Sequence, residues 1–214
     1  MMHFDPRVRL PGFFTSFFKD AVWRLDETNP VVYLTFDDGP VPEVTPWVLQ
    51  LLQDEGIRAT FFCVGENVIK YPEVYQQILD QGHSVGNHTY NHLQGVKTRN
   101  RDYFRNIELA GECIDSDLFR PPHGWMTHRQ YNYLKRKFRI IMWDVISCDY
   151  NAHLSPEKVF RNITGYVRSG SIITFHDSVK ARQNLVKTLQ PSICWMKEQG
   201  YRFESIPYRK VRSA

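Results

Sequence analysis

At 214 residues, with 42% hydrophobic and 23% charged side chains, the chain is long enough to bury one sizeable core and too apolar for a disordered segment. Its net charge of +4 is mild and its basic residues are scattered, the one dense run being Arg209, Lys210 and Arg212, so no nucleic-acid stripe is expected. The four cysteines (Cys63, Cys113, Cys148, Cys194) form no C-x-x-C pair, which argues against a cysteine zinc site or redox pair.

Residues 1–29 read as an extension packed on the main domain. Its Phe13, Phe14, Phe17 and Phe18 have helical spacing, which favours packing over the core against contact with a membrane surface. Asp5, Pro6, Arg7 and Arg9 interrupt any signal-peptide apolar region, and no apolar stretch reaches the roughly 20 residues that span a bilayer. With wide-spaced cysteines, this leads to an expectation of a cytoplasmic monomer.

One domain is expected over 30–206. The β-branched and aromatic run Val31–Phe36 reads as a strand stopped by Asp37-Asp38-Gly39-Pro40. A helix follows over Thr45–Gln53, a strand over Ala59–Val64, a helix over Pro72–Gln81 and a short strand over His83–Gly86. Further on come a helix over Asn100–Asp115, a strand over Leu118–Arg120, a helix over Thr127–Lys137 and a strand over Arg139–Val145. The last elements are a helix from Pro156 to about Arg168, a strand over Ile172–Phe175, a helix over Arg182–Gln199 and a strand over Tyr201–Glu204. Residues 207–214 read as a basic, solvated tail.

Strand-helix alternation throughout implies an α/β fold with a parallel sheet, and about seven strands fit a distorted, incomplete (β/α) barrel. Ligands bind at the carboxyl ends of such strands. The polar residues that follow the strands therefore converge on one rim: Asp37 and Asp38, His88 and His92, Arg120, Asp144 to Asp149, His176 and Asp177. The four-residue spacing of His88 and His92 puts both imidazoles on one side of a helical turn, within reach of one cation. Adjacent strand side chains point to opposite faces, so of Asp37 and Asp38 one can complete a His-His-Asp metal site and the other can accept a proton from water beside it.

These residues carry a resemblance. The chain resembles the polysaccharide deacetylases (the NodB-homology domain, carbohydrate esterase family four) over roughly residues 30–205. Thr35-Phe36-Asp37-Asp38-Gly39-Pro40 is similar to the first family motif and His88-Thr89-Tyr90-Asn91-His92 to the second. Arg120-Pro121-Pro122-His123-Gly124 resembles the third, Trp143 through Tyr150 the fourth, and Ile172-Ile173-Thr174-Phe175-His176-Asp177 the fifth.

The resemblance implies Asp37 as general base, Asp38, His88 and His92 as ligands of a divalent ion, zinc first and cobalt or nickel next, and Arg120 as the partner that orients Asp37. It implies His176 as general acid, the backbone N–H of His123 as oxyanion donor, and Trp143, Tyr150 and Thr174 as residues around the substrate.

The chain departs from the family at the substrate. His123 replaces the usual tyrosine, Thr174 replaces an acetyl-pocket leucine, and Ile146 stands where an aspartate usually tunes the acid histidine. Asp144, Asp149 and Asp177 are the candidates for that tuning role; Asp144 shares a strand face with Ile146, roughly 7 Å away. The expected activity is removal of N-acetyl, or O-acetyl, groups from a polysaccharide or glycoconjugate. The alternatives are hydrolysis of non-peptide C–N bonds in a non-sugar substrate, and a silent glycan-binding module. Six polar groups suited to catalysis argue against the last.

Overall fold

The computed structural model describes residues 5–25 and 28–211. Arg212 of the basic tail lies outside them. The strands are β1 (Val31–Asp37), β2 (Thr60–Cys63), β3 (Ser84–Asn87), β4 (Leu118–Phe119), β5 (Arg139–Ile140), β6 (Val145–Ile146), β7 (Ile172–His176) and β8 (Arg202–Phe203). The helices are α1 (Gly12–Thr15), α2 (Thr45–Asp54), α3 (Gly65–Lys70), α4 (Pro72–Asp80), α5 (Asn100–Gly111), α6 (His128–Leu134), α7 (Pro156–Thr164) and α8 (Arg182–Glu198). Ser155 caps α7 ahead of Pro156, and Thr127 and Gln130 form a reciprocal capping box on α6.

All strand pairs are parallel and run in the order β5-β4-β3-β2-β1-β7-β6, with β8 beside β1. The two ends of this path, β5 and β6, are successive pieces of one segment. Ile140 and Val145 are five residues apart and so lie within about 17 Å. The sheet must therefore curl until its edges nearly meet, which is the incomplete barrel the alternation implies.

The strand expected over Arg139–Val145 is thus two strands. The reason lies in its middle. The carbonyls of Ile141 and Met142 accept hydrogen bonds from the Arg120 guanidinium (3.2 and 2.9 Å), and Met142 N–H donates to Val22 O (2.8 Å). The helices expected to end at Asp115, Lys137 and Arg168 stop earlier, at Gly111, Leu134 and Thr164. The short helix α3 has no counterpart in the sequence reading.

Period-two alternation on β1 organises the interior. Val32, Leu34 and Phe36 pack outward beneath the helices with Phe61, Ile173 and Phe175. Val31 and Tyr33 face the barrel lumen with Phe62, Leu118, Ile141, Ile172 and Ile206. Thr35 continues this inward stripe above them, and Asp37 ends it at the rim. The lumen is therefore oily at the base and polar at the mouth.

The extension packs on the domain through buried Val8 and Ala21, but its phenylalanines do not all turn to the core as expected. Phe18 does turn inward, edge-on to Tyr131 at 5.0 Å. Phe13, Phe14 and Phe17 instead remain 62%, 41% and 63% exposed. Of these three, Phe14 borders the cavity at the barrel mouth, and Phe13 and Phe17 do not. The tail is tied rather than free: Arg209 N–H donates to Asp117 Oδ1 (2.7 Å) and Val211 N–H to Asp115 Oδ1 (2.7 Å).

Candidate active site

Asp37 and His176 are register partners on β1 and β7, two positions above the Thr35–Thr174 pair and on the same face. Neighbouring strands lie about 4.8 Å apart, so a carboxylate and an imidazole are delivered side by side at the mouth. Arg120, fully buried, stands beneath them. Its Nη1 donates to Asp37 Oδ1 (2.6 Å) and to Thr35 Oγ1 (2.8 Å), and its guanidinium lies over the Phe62 ring at 4.0 Å. With Nε and Nη2 anchored on the Ile141 and Met142 carbonyls, the planar fork is fixed and aims Nη1 at the one carboxylate.

Asp38 lies beyond the end of β1 with φ 85°, so a left-handed backbone, not strand pleat, turns its carboxylate away from that of Asp37. His88 and His92 are not on a helical turn. They sit in the loop after β3, where Thr89 (φ 67°) and His92 (φ 58°) are also left-handed. Asn87 Oδ1 accepts Thr89 N–H (2.8 Å), and Asn106 Oδ1 accepts Tyr90 N–H (2.8 Å), which holds that loop in place. Such strained residues persist where the surroundings over-determine them, commonly at functional sites.

The result is a compact donor set: one ligand atom each from Asp38, His88 and His92, all within 4.8 Å of one another. Asp38 Oδ1 lies 3.1 Å from His92 Nε2 and 3.7 Å from His88 Nε2. His88 Nδ1 is 2.8 Å from Arg120 O. A carbonyl only accepts, so Nδ1 carries the proton and the Nε2 lone pair faces Asp38. Burial pushes His88 down to about 4, which keeps the ring neutral and able to ligate. Burial opposes the charge on Asp38, yet His92, His176 and His88 hold its carboxyl well below the usual carboxylate range. Two imidazoles and one anionic oxygen, with room for further ligands on the open side, fit a divalent cation of the zinc type.

Of the three acid-tuning candidates, Asp149 is the one that touches His176. Its Oδ1 lies 2.7 Å from His176 Nδ1, and its Oδ2 accepts His176 N–H (2.9 Å). Burial works against a charged His176, but Asp149, then Asp38 and Asp37, pull it up to about 9. Asp144 is not placed for this role: its carboxylate binds Arg9 (2.9 Å), Arg168 (2.8 Å) and Ser171 (2.7 Å) behind the rim. Nor is Asp177, whose oxygens accept Gly39 N–H (3.1 Å) and the Thr45 hydroxyl (2.7 Å). A Cβ at Gly39 would overlap that carboxylate, so glycine is required there. Thr174 is likewise corrected. It is fully buried, 3.2 Å from Thr35 Oγ1, and takes no part in the cleft wall.

Above these groups opens a cleft of about 780 Å³. Asp37, Asp38, His88, His92, His123, Trp143, Tyr150 and His176 line it, as the sequence suggested. Tyr150 stands edge-on to the His176 ring at 4.9 Å, and His123 edge-on to His92 at 4.8 Å. His123 is left-handed (φ 59°) in the turn Pro122–Gly124. Further lining residues were missed by sequence reasoning: Arg7, Leu10, Phe14 and Trp23 from the extension, and Trp125. Only the tryptophans, large residues beside otherwise polar motifs, could have signalled them.

The polysaccharide deacetylase family matches residues 24–137. A peptidoglycan-N-acetylglucosamine deacetylase of Bacillus cereus is 35% identical over 185 residues, which is 82% of this chain and 66% of that protein. A chitooligosaccharide deacetylase of Azorhizobium caulinodans is 33% identical over 162 residues, 72% of this chain and 77% of its own length. A crystal structure of a peptidoglycan N-acetylglucosamine deacetylase superposes with a TM-score of 0.82 at 29% identity, covering 92% of this chain and 95% of that one. On the family match, these relatives and the shared barrel, the chain belongs to the polysaccharide deacetylases, hydrolases of carbon–nitrogen bonds other than peptide bonds.

Proposed function

We propose that the protein is a divalent-metal-dependent deacetylase acting on N-acetylated sugars of a polysaccharide or glycoconjugate. The observation that carries this reading is the pairing of a buried Arg120–Asp37 base with an Asp149–His176 acid on either side of the Asp38-His88-His92 donor set. Asp38, His88 and His92 would hold the cation, zinc foremost, which would supply a Lewis acid to polarise the acetyl carbonyl and acidify a water.

The chain's own groups do the rest. Asp37 takes a proton from the attacking water, and Arg120 keeps its carboxylate ionised and aimed. His123 belongs to the cleft wall, and its backbone N–H is the proposed donor for the carbonyl oxygen when it becomes anionic. His176 Nε2 gives its proton to the sugar nitrogen as the C–N bond breaks, which leaves acetate and a free amine. Asp149 on Nδ1 fixes the tautomer and orientation for that transfer. Relatives named for peptidoglycan N-acetylglucosamine and chitooligosaccharides support an N-acetylglucosamine oligomer as substrate.

The direct test is acetate release from N-acetylglucosamine oligomers. Activity should vanish on dialysis against a chelator and return with added zinc, cobalt or nickel. Turnover that survives removal of all divalent ions would refute the reading.

The acid supplies a second test. His176 must be protonated, so rate falls as pH rises through its pKa, at or below about 9 once a cation offsets the contribution of Asp38. Asp149→Asn removes the strongest influence raising that pKa. The alkaline limb of the kcat profile should then move to lower pH by about one to three pH units. A limb left in place would mean that Asp149 does not tune the acid.

A further inference from the structure

The cleft has more wall than the chemistry above uses. Its volume, about 780 Å³, lies toward the large end of small-molecule pockets. Beyond the catalytic side chains the lining is largely carbon: Leu10, Phe14 and Trp23 from the extension, and Trp125, Trp143 and Ile146 from the barrel. This wall is built in. Ile146 N–H donates to Val8 O (2.9 Å) and Val22 N–H to Ile140 O (2.8 Å), so the extension is tied to β6 at one end and to β5 at the other. The Trp23 and Trp143 rings, 6.5 Å apart and steeply tilted, join the extension's part of the wall to the barrel's.

A ligand rich in hydroxyls finds few partners on it. Among the described residues that line the cleft beyond the catalytic groups, none is Asn, Gln, Asp, Glu or Thr. Arg7 gives its Nε and Nη2 to Asp5 (3.0 and 2.9 Å), which leaves Ser178, Lys180, Tyr150 and the indole N–H groups. A second pyranose pressed against this wall would bury hydroxyls without partners, at a cost for each. Stacking does not account for the wall either, because a sugar ring needs a flat aromatic face and Leu10 and Ile146 offer none. A hydrocarbon chain, by contrast, gains from every methylene it buries.

We propose that the substrate is an N-acetylated sugar bearing an apolar aglycone, whose hydrocarbon lies against Leu10, Phe14, Trp23 and Trp125 while the acetamide meets the catalytic groups. The extension is then a specificity element. The placing of the sugar rests on the deacetylase reading; the apolar site is tested by binding alone.

The test uses the octyl and methyl glycosides of glucosamine, the amines left after deacetylation, so that no turnover occurs. Calorimetry with the full chain, below the concentration at which the octyl glycoside forms micelles, should give it a Kd about tenfold or more lower than that of the methyl glycoside, the worth of about two buried methylenes. Phe14→Ser/Trp125→Ala should bring the ratio of the two constants close to one. These side chains are 41% and 54% exposed, so the variant should fold as the parent does, which its far-ultraviolet circular dichroism checks. Phe13→Ser, outside the cleft, should leave the ratio where it was.

Equal binding of the octyl and methyl glycosides would overturn the proposal. So would an octyl preference that survives in the double variant. A glucosamine trimer that gains as much over the methyl glycoside as the octyl glycoside does would overturn it in favour of further sugars on the wall. No acetate from the N-acetylated octyl and methyl glycosides, with the octyl preference in binding intact, would sink the deacetylase reading and leave the apolar site standing.

Discussion

Asp37→Asn is expected to lower kcat for acetate release by about two to four orders of magnitude. The side chain keeps its size and can still accept the Arg120 hydrogen bond, but it can no longer take a proton. Asp38, His88 and His92 are untouched, and His88 keeps its tautomer through Arg120 O. Metal affinity measured by calorimetry should therefore change little while turnover collapses. A variant that retains a rate within about tenfold of the parent would remove Asp37 from the base's role.

Arg120→Met is expected to cost about 3–5 kcal/mol of stability. Methionine fills much of the same volume, so the loss isolates the charge and its hydrogen bonds. The substitution leaves Asp37, only 4% exposed, without its counter-ion, and deprives the Ile141 and Met142 carbonyls of their donor. Urea unfolding measures the cost. The double variant Asp37→Asn/Arg120→Met should be less destabilised than the two single losses summed, because neither then strands a buried charge. A single variant within about 1 kcal/mol of the parent would show that the pair does not hold the rim together.

Local sequence carried the barrel well. The apolar run Val31–Phe36 and its stop at Asp37-Asp38-Gly39-Pro40 read directly as a strand and a rim turn, because both signals are contained in ten residues. The donor set was legible as residues but not as geometry. The four-residue spacing of His88 and His92 suggested a helical turn, whereas Thr89 and His92 achieve the same convergence with left-handed backbones, which no side-chain period reveals. Asp144 was attractive because of its spacing from Ile146. Its actual partners, Arg9 and Arg168, come from 135 and 24 residues away, beyond any local window.

The division of the Arg139–Val145 strand was hidden for a similar reason. It depends on a guanidinium from β4's end and a carbonyl from the extension. The exposed phenyls misled because helical spacing tells which residues share a face, never what that face meets.

The two ends of the described chain leave from opposite poles. Residues 6–10 run across the doorway through which substrate enters, while Arg209 and Val211 are stitched to Asp115 and Asp117, at the foot of β4. Cargo fused ahead of the first strand is therefore carried at the entrance and competes with large glycans for approach. Cargo fused behind Val211 hangs from the far pole, where immobilisation or labelling leaves the entrance clear.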